Sequence, residues 1–410
     1  MSQTPPPEGL VSGPSALDAV IDLQLKAIHS LGSNIGAHIQ HLEAKVEKLG
    51  NPSHTSAEAS KKRKRATPEL PQRILDAILS CGDNLAAQMQ DLDAKIDQLV
   101  DREMARTRIL VTEAYNKRAS DYDTASSFHR RLARRYKEYV KPKAGESLLD
   151  LACGTGQVAF AMAPHLQLLG AGVQPGRIVG IDISSGMLKV AKQKLQLPEH
   201  LGHRIQFLEH DITKLHEVGE LKGMEGAFDI ITVCSALVLL DDPVEAIRHW
   251  ATYLKPTGRL VLDVPHPMAM LGVRVLSKIA PQFGVDVLGN REWISGPQSL
   301  TDVLESAGLD TKVKETEVWS GVPASTDYVG KLKKESIWTS YEGGPIFETM
   351  TKRSSAWECL GENEKRKARW KFEDEFAALA SEDGCVKEVN KLFIGVGVKR
   401  WSVVPTPRPS

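Results

Sequence analysis

The run SLLDLACGTGQ, Ser147 to Gln157, passes from leucines to glycines within a few residues. Ser147 to Ala152 is short, apolar and bounded by Gly145 and the glycines that follow, the pattern of a buried parallel strand. Cys153-Gly154-Thr155-Gly156 then predicts a sharp turn. Gln157 to Leu169 predicts a helix, broken only by Pro164. Strand, glycine turn and helix N-terminus together open a nucleotide-binding βα unit. Glycines at the turn let the backbone approach a ligand where a Cβ would clash.

Downstream the alternation continues. Arg177 to Ser184, RIVGIDIS, predicts a second strand that carries Asp182 at its end, and Ser185-Gly186-Met187-Leu188 opens a helix. A carboxylate there can accept both hydroxyls of a ribose. IQFLEHDIT predicts a third strand ending at Asp211. Phe228 to Cys234 and Gly258 to Val264 predict two more, with a helix from Pro243 to Leu254 between them. Alternating β and α elements imply a parallel sheet with helices on both faces. The glycine turn alone is weak evidence for any one cofactor. A G-x-G-x-x-G dinucleotide site places a third glycine where this chain has Ala159, a position that tolerates alanine, so an NAD-type oxidoreductase stays open as the runner-up.

Taken in order, DLACGTG, GIDIS with Met187-Leu188 behind it, and HDIT stand at three successive strand ends. In this the chain resembles the class I S-adenosylmethionine-dependent methyltransferases, and most of all the small-molecule branch typified by ubiquinone/menaquinone-biosynthesis methyltransferases. The resemblance covers roughly residues 113–265 and the final strand. It implies an α/β, Rossmann-like seven-stranded methyltransferase fold with S-adenosyl-L-methionine as cofactor. It places Asp150, Ala152, Gly154 and Gly156 under the methionine part of that cofactor. Asp182 falls on the acid that holds the ribose, Ile183 and Met187 flank the adenine, and Asp211 with Ile212 stands near the adenine amino group. Cys234 and Ser235 fall at the methyl-transfer end. Ala152 stands where many members have glycine.

The acceptor side is less sharply written. AYNKRASDYD, Ala114 to Asp123, resembles the family's helical lid, with Tyr115 and Tyr122 placed to close over the site. His266, in Pro265-His266-Pro267 after the fifth strand, is the candidate base, because a free imidazole titrates near neutrality. Tyr122 is the second candidate catalytic group. The Asn/Asp-Pro-Pro-Tyr signature used on planar exocyclic nitrogens is absent after strand four, where the chain reads Cys234-Ser235-Ala236-Leu237. No cysteine, histidine or acid spacing suggests a metal.

A helix from Gln298 to Ala307 and a strand from Thr311 to Val318 should lead at once to the last strand. That strand, LFIGVGVKR, begins only at Leu392. The intervening insertion, about 319–390, holds Trp319, Trp338, Trp357 and Trp370 and predicts a substrate cap. Within it Glu364 to Phe376 predicts an amphipathic helix.

Ahead of this domain the chain repeats itself. Leu25 to Leu49 aligns without gaps on Leu75 to Leu99, with Ser30/Ser80, Gly32/Gly82, Asn34/Asn84 and Gln40/Gln90 coincident. Ile28, Ile35, Leu42 and Leu49 recur every seventh residue, as do Ile78, Leu85, Leu92 and Leu99, the seam of a coiled coil. The copies can pair with each other, with a second chain or with the catalytic domain. The linker between them carries Lys61-Lys62-Arg63-Lys64-Arg65, a run resembling a nuclear localisation signal. The expected division is a disordered tail (1–14), a duplicated helical segment (15–104, linker 50–71), a methyltransferase domain (105–402) and a tail (403–410).

The chain has 410 residues, and 52 Lys+Arg balance 52 Asp+Glu. Zero net charge argues against wholesale nucleic-acid binding, and no DNA partner is expected. Five cysteines without C-x-x-C spacing give neither a disulfide framework nor a zinc site. No apolar run is long enough to span a bilayer and no secretory signal is recognisable, so the cytoplasm is the default location, with the nucleus open through Lys61 to Arg65. The expected activity is methyl transfer to a small organic acceptor, a role that fits specialised metabolism. A nuclear protein or RNA methyltransferase is the alternative.

Overall fold

In a computed structural model of the chain, the described residues are 105–125, 128–167, 174–200, 203–289, 291–317, 335–339, 343–351 and 355–399, with 87–92, 94–95 and 98 ahead of them. The chain divides into two units, Met1–Arg106 and Thr107–Ser410. In the first, the described residues are a short stretch near residue 90 and Ala105 with Arg106. The stretch near residue 90 is helical, Lys95 pairs with Asp91 at 2.7 Å, and Met89 is 52% exposed. The first heptad copy, Lys61 to Arg65, and the tails 1–14 and 403–410 lie outside the described residues.

The second unit is built on a seven-stranded sheet. Its strands are β1 (Leu148–Leu151), β2 (Ile178–Asp182), β3 (Ile205–Glu209), β4 (Phe228–Val233), β5 (Leu254–Pro265), β6 (Leu309–Glu317) and β9 (Lys391–Lys399). They lie in the order β3-β2-β1-β4-β5-β9-β6. The first five run parallel, and β9 enters antiparallel to both β5 and β6. This is the Rossmann-like methyltransferase arrangement expected from the sequence. β3 stops at Glu209, so Asp211 stands just beyond the strand and starts a 3-10 turn.

Alternation along the strands sends successive side chains to opposite faces. Leu148, Ile178, Ile205, Phe207, Ile230 and Val261 face α1 (Phe128–Val140), α2 (Gln157–Leu166) and α3 (Ser185–Lys194). Leu149, Val179, Ile181, Ile231, Leu260 and Leu262 face α4 (Pro243–Ala251) and α6 (Pro297–Ser306). On that second face Trp250 is fully buried, and its indole N–H donates to Ile212 O at 2.7 Å. α2 ends at Leu166 rather than Leu169. Pro164 sits inside its last turn, where little helix remains to be disrupted.

The excursion between β6 and β9 has its own core. It contains β7 (Glu335–Thr339), α7 (Gly343–Thr351), α8 (Glu362–Ala377) and β8 (Cys385–Val389), and β7 pairs with β8 in a separate two-stranded sheet. Phe347, Trp357, Ala368, Phe372, Phe376 and Val386 pack with Leu271, Val275, Leu276 and Ile279 of α5 (Leu271–Ile279). α5 follows β5, so two separate stretches of chain build one hydrophobic cluster, in the segment expected to act as a cap. Trp357 is buried there and Trp370 is 64% exposed. Trp319 and the side chain of Trp338 are outside the described set. β5 and β6 end, and β9 begins, on the edge where the parallel strands have their carboxyl ends. The cap therefore rises from the side on which α/β sheets take their ligands.

Candidate functional site

Three strand exits meet at this edge. After β1 the chain turns through Ala152 (φ +50), Gly154 (φ +53) and Gly156 (φ +79) into α2. A Cβ on Gly154 would meet nothing within 4 Å, so the loop leaves open space in front of it. Gly156 is the opposite case. A Cβ there would stand 2.8 Å from Phe160 Cε2 and 2.8 Å from Phe207 Cζ. Gly156→Ala should therefore cost about 1–3 kcal/mol from overpacking and about 1 kcal/mol from the left-handed backbone. Gly154→Ala should carry only the backbone cost while weakening ligand affinity. Thermal melts and ligand titrations of the two variants separate the effects, and equal melting temperatures would contradict the packing argument.

Asp182, at the end of β2, accepts from Gly154 N at 2.7 Å through Oδ2 and from Ser184 N at 2.8 Å through Oδ1. Burial pushes its pKa up, and these backbone donors pull it back. Ser184 also caps α3, accepting from Met187 N at 3.1 Å. Met187 is fully buried beneath the site, Ile183 is half-buried beside Asp182, and Ile212 is buried next to Asp211. Asp211 accepts from Thr213 N at 2.8 Å, and its other oxygen lies 2.6 Å from Arg108 Nε, an ion pair across the site.

Asp150 lies beneath the loop rather than on its open face. It is 1% exposed, accepts from Thr232 Oγ1 at 2.7 Å and from Ala159 N at 3.2 Å, and burial raises its pKa to about 7. A carboxyl whose folded-state pKa stands above its unfolded value near 3.8 holds its proton more tightly in the native state. Its contribution to stability is full below about pH 4 and is lost as pH rises through about 7. Asp150→Asn should flatten that part of the stability profile. Thermal melts between about pH 4 and pH 8 measure it, and an unchanged slope would show that Asp150 is ionised throughout.

Residues 107–118 are helical, and a short helical turn follows at Tyr122–Ala125. Asn116 Oδ1 accepts from Ser184 Oγ and Gly186 N, both at 2.8 Å. Asp123 accepts from Thr155 Oγ1 at 2.6 Å, Gln157 Nε2 at 2.7 Å and Lys194 Nζ at 2.8 Å, which draw its pKa below the usual range despite burial. Tyr115 and Tyr122 lie 6.3 Å apart with Arg118 over both rings. Burial pushes the Tyr122 hydroxyl's pKa well up, and the neighbouring Tyr115, Cys234 and Asp182 push the same way. The Tyr122 hydroxyl is 3.0 Å from His129 Nε2, and burial drops the His129 pKa to about 4, so that imidazole is neutral.

His266 is held by its loop. Its Nδ1 accepts from Met268 N at 3.0 Å, which puts the neutral ring's proton on Nε2, and Nε2 faces Glu315 Oε2 at 3.9 Å. Burial lowers its pKa. The half-buried Arg291 donates to His266 O at 3.3 Å and Ala269 O at 2.8 Å and braces the same loop.

Cys234 and Ser235, expected at the methyl-transfer end, stand at the exit of β4, next to a buried acid not expected there. Ser235 sits there at φ +57, and its N–H donates to Asp263 Oδ1 at 2.9 Å. Asp263, near the end of β5, is 2% exposed and also accepts from the buried Tyr136 hydroxyl of α1. An acid inside the apolar run LVLDVP was the visible signal. Tyr136, 127 positions away in sequence, left none. Asn116, Asp123 and Lys194 were missed for the same reason.

A family described as "Methyltransferase domain" matches residues 149–260. The chain is 30% identical over 163 residues to a demethylmenaquinone methyltransferase of Lactococcus lactis, covering 38% of this chain and 59% of that protein. It is 28% identical over 193 residues to the nocamycin O-methyltransferase of Saccharothrix syringae, covering 47% and 57%. The chain thus spans less than two thirds of either relative's length. YcgJ from Bacillus subtilis superposes with a TM-score of 0.42 at 16% identity, over 65% of this chain and 97% of that one. That likeness adds nothing to the strand order already described. The nicotinamide alternative falls: dinucleotide sheets follow the order 3-2-1-4-5-6, whereas here β9 runs antiparallel between β5 and β6. Residues 149–260 thus match a methyltransferase domain, and the antiparallel β9 between β5 and β6 is the arrangement that the resemblance to class I S-adenosylmethionine-dependent methyltransferases implied.

Proposed function

We propose that the chain methylates a small organic acceptor held between the strand exits and the cap. The observation that carries this reading is the open glycine loop bonded to Asp182 beneath a lid that is itself tied to that loop by Asp123. The relatives named for demethylmenaquinone and nocamycin act on small molecules, and that supports the acceptor class.

The bound cofactor supplies an electrophilic methyl group on a sulfonium. The chain's own residues bind and orient. Asp182 takes the ribose hydroxyls, Ile183 and Met187 flank the adenine, and Asp211 with Ile212 closes its far side. Gly154, Gly156 and Ala152 let the backbone lie against the methionine portion, with Asp150 stiffening the loop from below. Cys234 lines the methyl-transfer end. Tyr115 and Tyr122 exclude water, which strengthens every electrostatic contact inside. His266, with both ring nitrogens facing protein groups, shapes the acceptor wall. Residues 105–402 form the catalytic domain, and 15–104 serve self-association or docking.

A labelled-methyl screen of quinols, phenols and a metabolite extract tests the reading, with Asp182→Ala as control. Transfer to a small molecule that disappears in the control is expected. Label appearing only in protein or RNA would overturn it.

A further inference from the structure

Asp263 is the buried acid that the reading above leaves without a task. Its Oδ1 accepts from the Tyr136 hydroxyl and from Ser235 N at 2.9 Å, and its Oδ2 stands 3.4 Å from Ser235 Oγ. The Tyr136 hydroxyl also reaches Val233 O at 2.9 Å. The groups facing Asp263 are therefore Tyr136 from α1 and Cys234 with Ser235 from the exit of β4, with Asp150 beyond Cys234. Its register partner on β9 is Ile394, an apolar residue. Nothing cationic neutralises Asp263 in this set. Two neutral hydroxyls, one thiol and one amide hold it instead. Of these, Tyr136 is fully buried while Cys234 and Ser235 are half-exposed at the strand exit, and Ser235 alone of the two stands in a left-handed conformation, uncommon for serine.

We infer that Asp263 draws a proton from the acceptor through the Ser235 hydroxyl, and that the acceptor is a molecule with an ionisable hydroxyl, a phenol or an enol. The inference rests on the methyltransferase reading and narrows its acceptor class. In the step, the acceptor O–H gives its proton to Ser235 Oγ while Ser235 passes its own to Asp263 Oδ2. The freed electron pair, on oxygen or on a conjugated ring carbon, forms the new bond to the methyl carbon. The C–S bond breaks, and its electrons stay on sulfur as the sulfonium becomes a neutral thioether. With O-transfer the products are the methyl ether, the thioether and protonated Asp263. With C-transfer the neutral dienone then loses its ring proton and regains one on oxygen, through solvent, to restore the phenol. Charge balances: a cation and a carboxylate become two neutral groups. Burial raises Asp263 to about 6, so it is mostly ionised at neutral pH and still a better proton acceptor than an exposed carboxylate.

The test uses the full chain with two probes. Catechol is largely protonated at neutral pH, and 4-nitrocatechol is ionised. Asp263→Asn should slow transfer to catechol by about 100-fold or more and slow transfer to 4-nitrocatechol far less, with S-adenosylhomocysteine affinity unchanged. A second readout needs no turnover. Calorimetry in buffers of different ionisation enthalpy should show uptake of about one proton when ionised 4-nitrocatechol joins the S-adenosylhomocysteine complex, and none in Asp263→Asn. Ser235→Gly, which keeps the positive φ and removes the hydroxyl, should reproduce the catechol-selective loss and covers the case in which Asp263→Asn fails to fold. Equal losses on both probes, or no proton uptake by the unaltered protein, would overturn the inference by making Asp263 a packing group. A chain that binds S-adenosylhomocysteine but methylates neither probe strikes this inference alone. A chain that binds no S-adenosylhomocysteine strikes the methyltransferase reading itself.

Discussion

Asp182→Ala is expected to weaken S-adenosylmethionine binding by about 100-fold or more while the protein still folds. The carboxylate bonds Gly154 N at 2.7 Å and Ser184 N at 2.8 Å, so one side chain fixes both the glycine loop and the start of α3. Hydrogen bonds to a charged group contribute about 1.5–3 kcal/mol each, and each 1.4 kcal/mol of binding energy is roughly tenfold in affinity. Removing the acid loosens two walls of the site and deletes the acceptor proposed for the ribose hydroxyls. Asp182→Asn should fall between, because its amide keeps one acceptor oxygen and presents a donor where an acceptor is needed. Calorimetric titration with S-adenosylhomocysteine checks this. An affinity within threefold of the unaltered protein would dismantle the proposed site.

Phe372→Ala should unfasten the cap without emptying the cofactor site. Phe372 is fully buried, stacks on Phe376 at 5.8 Å and meets Phe347 at 5.5 Å, so its truncation removes the centre of the third hydrophobic cluster. Loss of a core phenylalanine costs about 3–5 kcal/mol. That cluster is separate from the two that clasp the sheet, and among the described residues it is linked to the acceptor loop where Glu388 Oε2 accepts from Leu271 N at 2.6 Å and Val389 N donates to Met268 O at 3.0 Å. The cost should fall on local opening rather than on global unfolding. Hydrogen exchange should rise across 343–389, methyl transfer should collapse, and S-adenosylhomocysteine affinity should hold. Loss of affinity in parallel with transfer would mean that cap and sheet unfold as one body.

Much of this molecule is legible in its sequence because the relevant signals are local. A run such as SLLDLACGTG states its strand and its turn within a dozen residues, and the acid of GIDIS sits where the strand stops. The insertion announced itself as a missing hairpin partner between β6 and β9. What stayed hidden was pairing at long range. Asn116 meets Ser184, Asp123 meets Lys194, Tyr136 meets Asp263, and Arg108 meets Asp211. Each is an ordinary polar residue in an ordinary helix or strand until the fold brings its partner. His266 shows the converse. A histidine in a loop invited a proton-transfer role, and only the Met268 N–H on its Nδ1 reveals how its ring is held.

The place of β9 between β5 and β6 has a consequence for biogenesis. As the chain leaves the ribosome, β5 and β6 are complete while the strand that joins them is still unmade, and the whole excursion from Glu317 to Lys391 must be synthesised first. Throughout that interval both strands offer unpaired edges, the template on which β-chains aggregate. Closure by a strand so distant in sequence from β5 is intrinsically slow. The cap, with its own aromatic core, gives the emerging chain something to fold while it waits. A nascent chain stalled before Lys391 would be a poor candidate for a soluble intermediate, and an early claimant on chaperones.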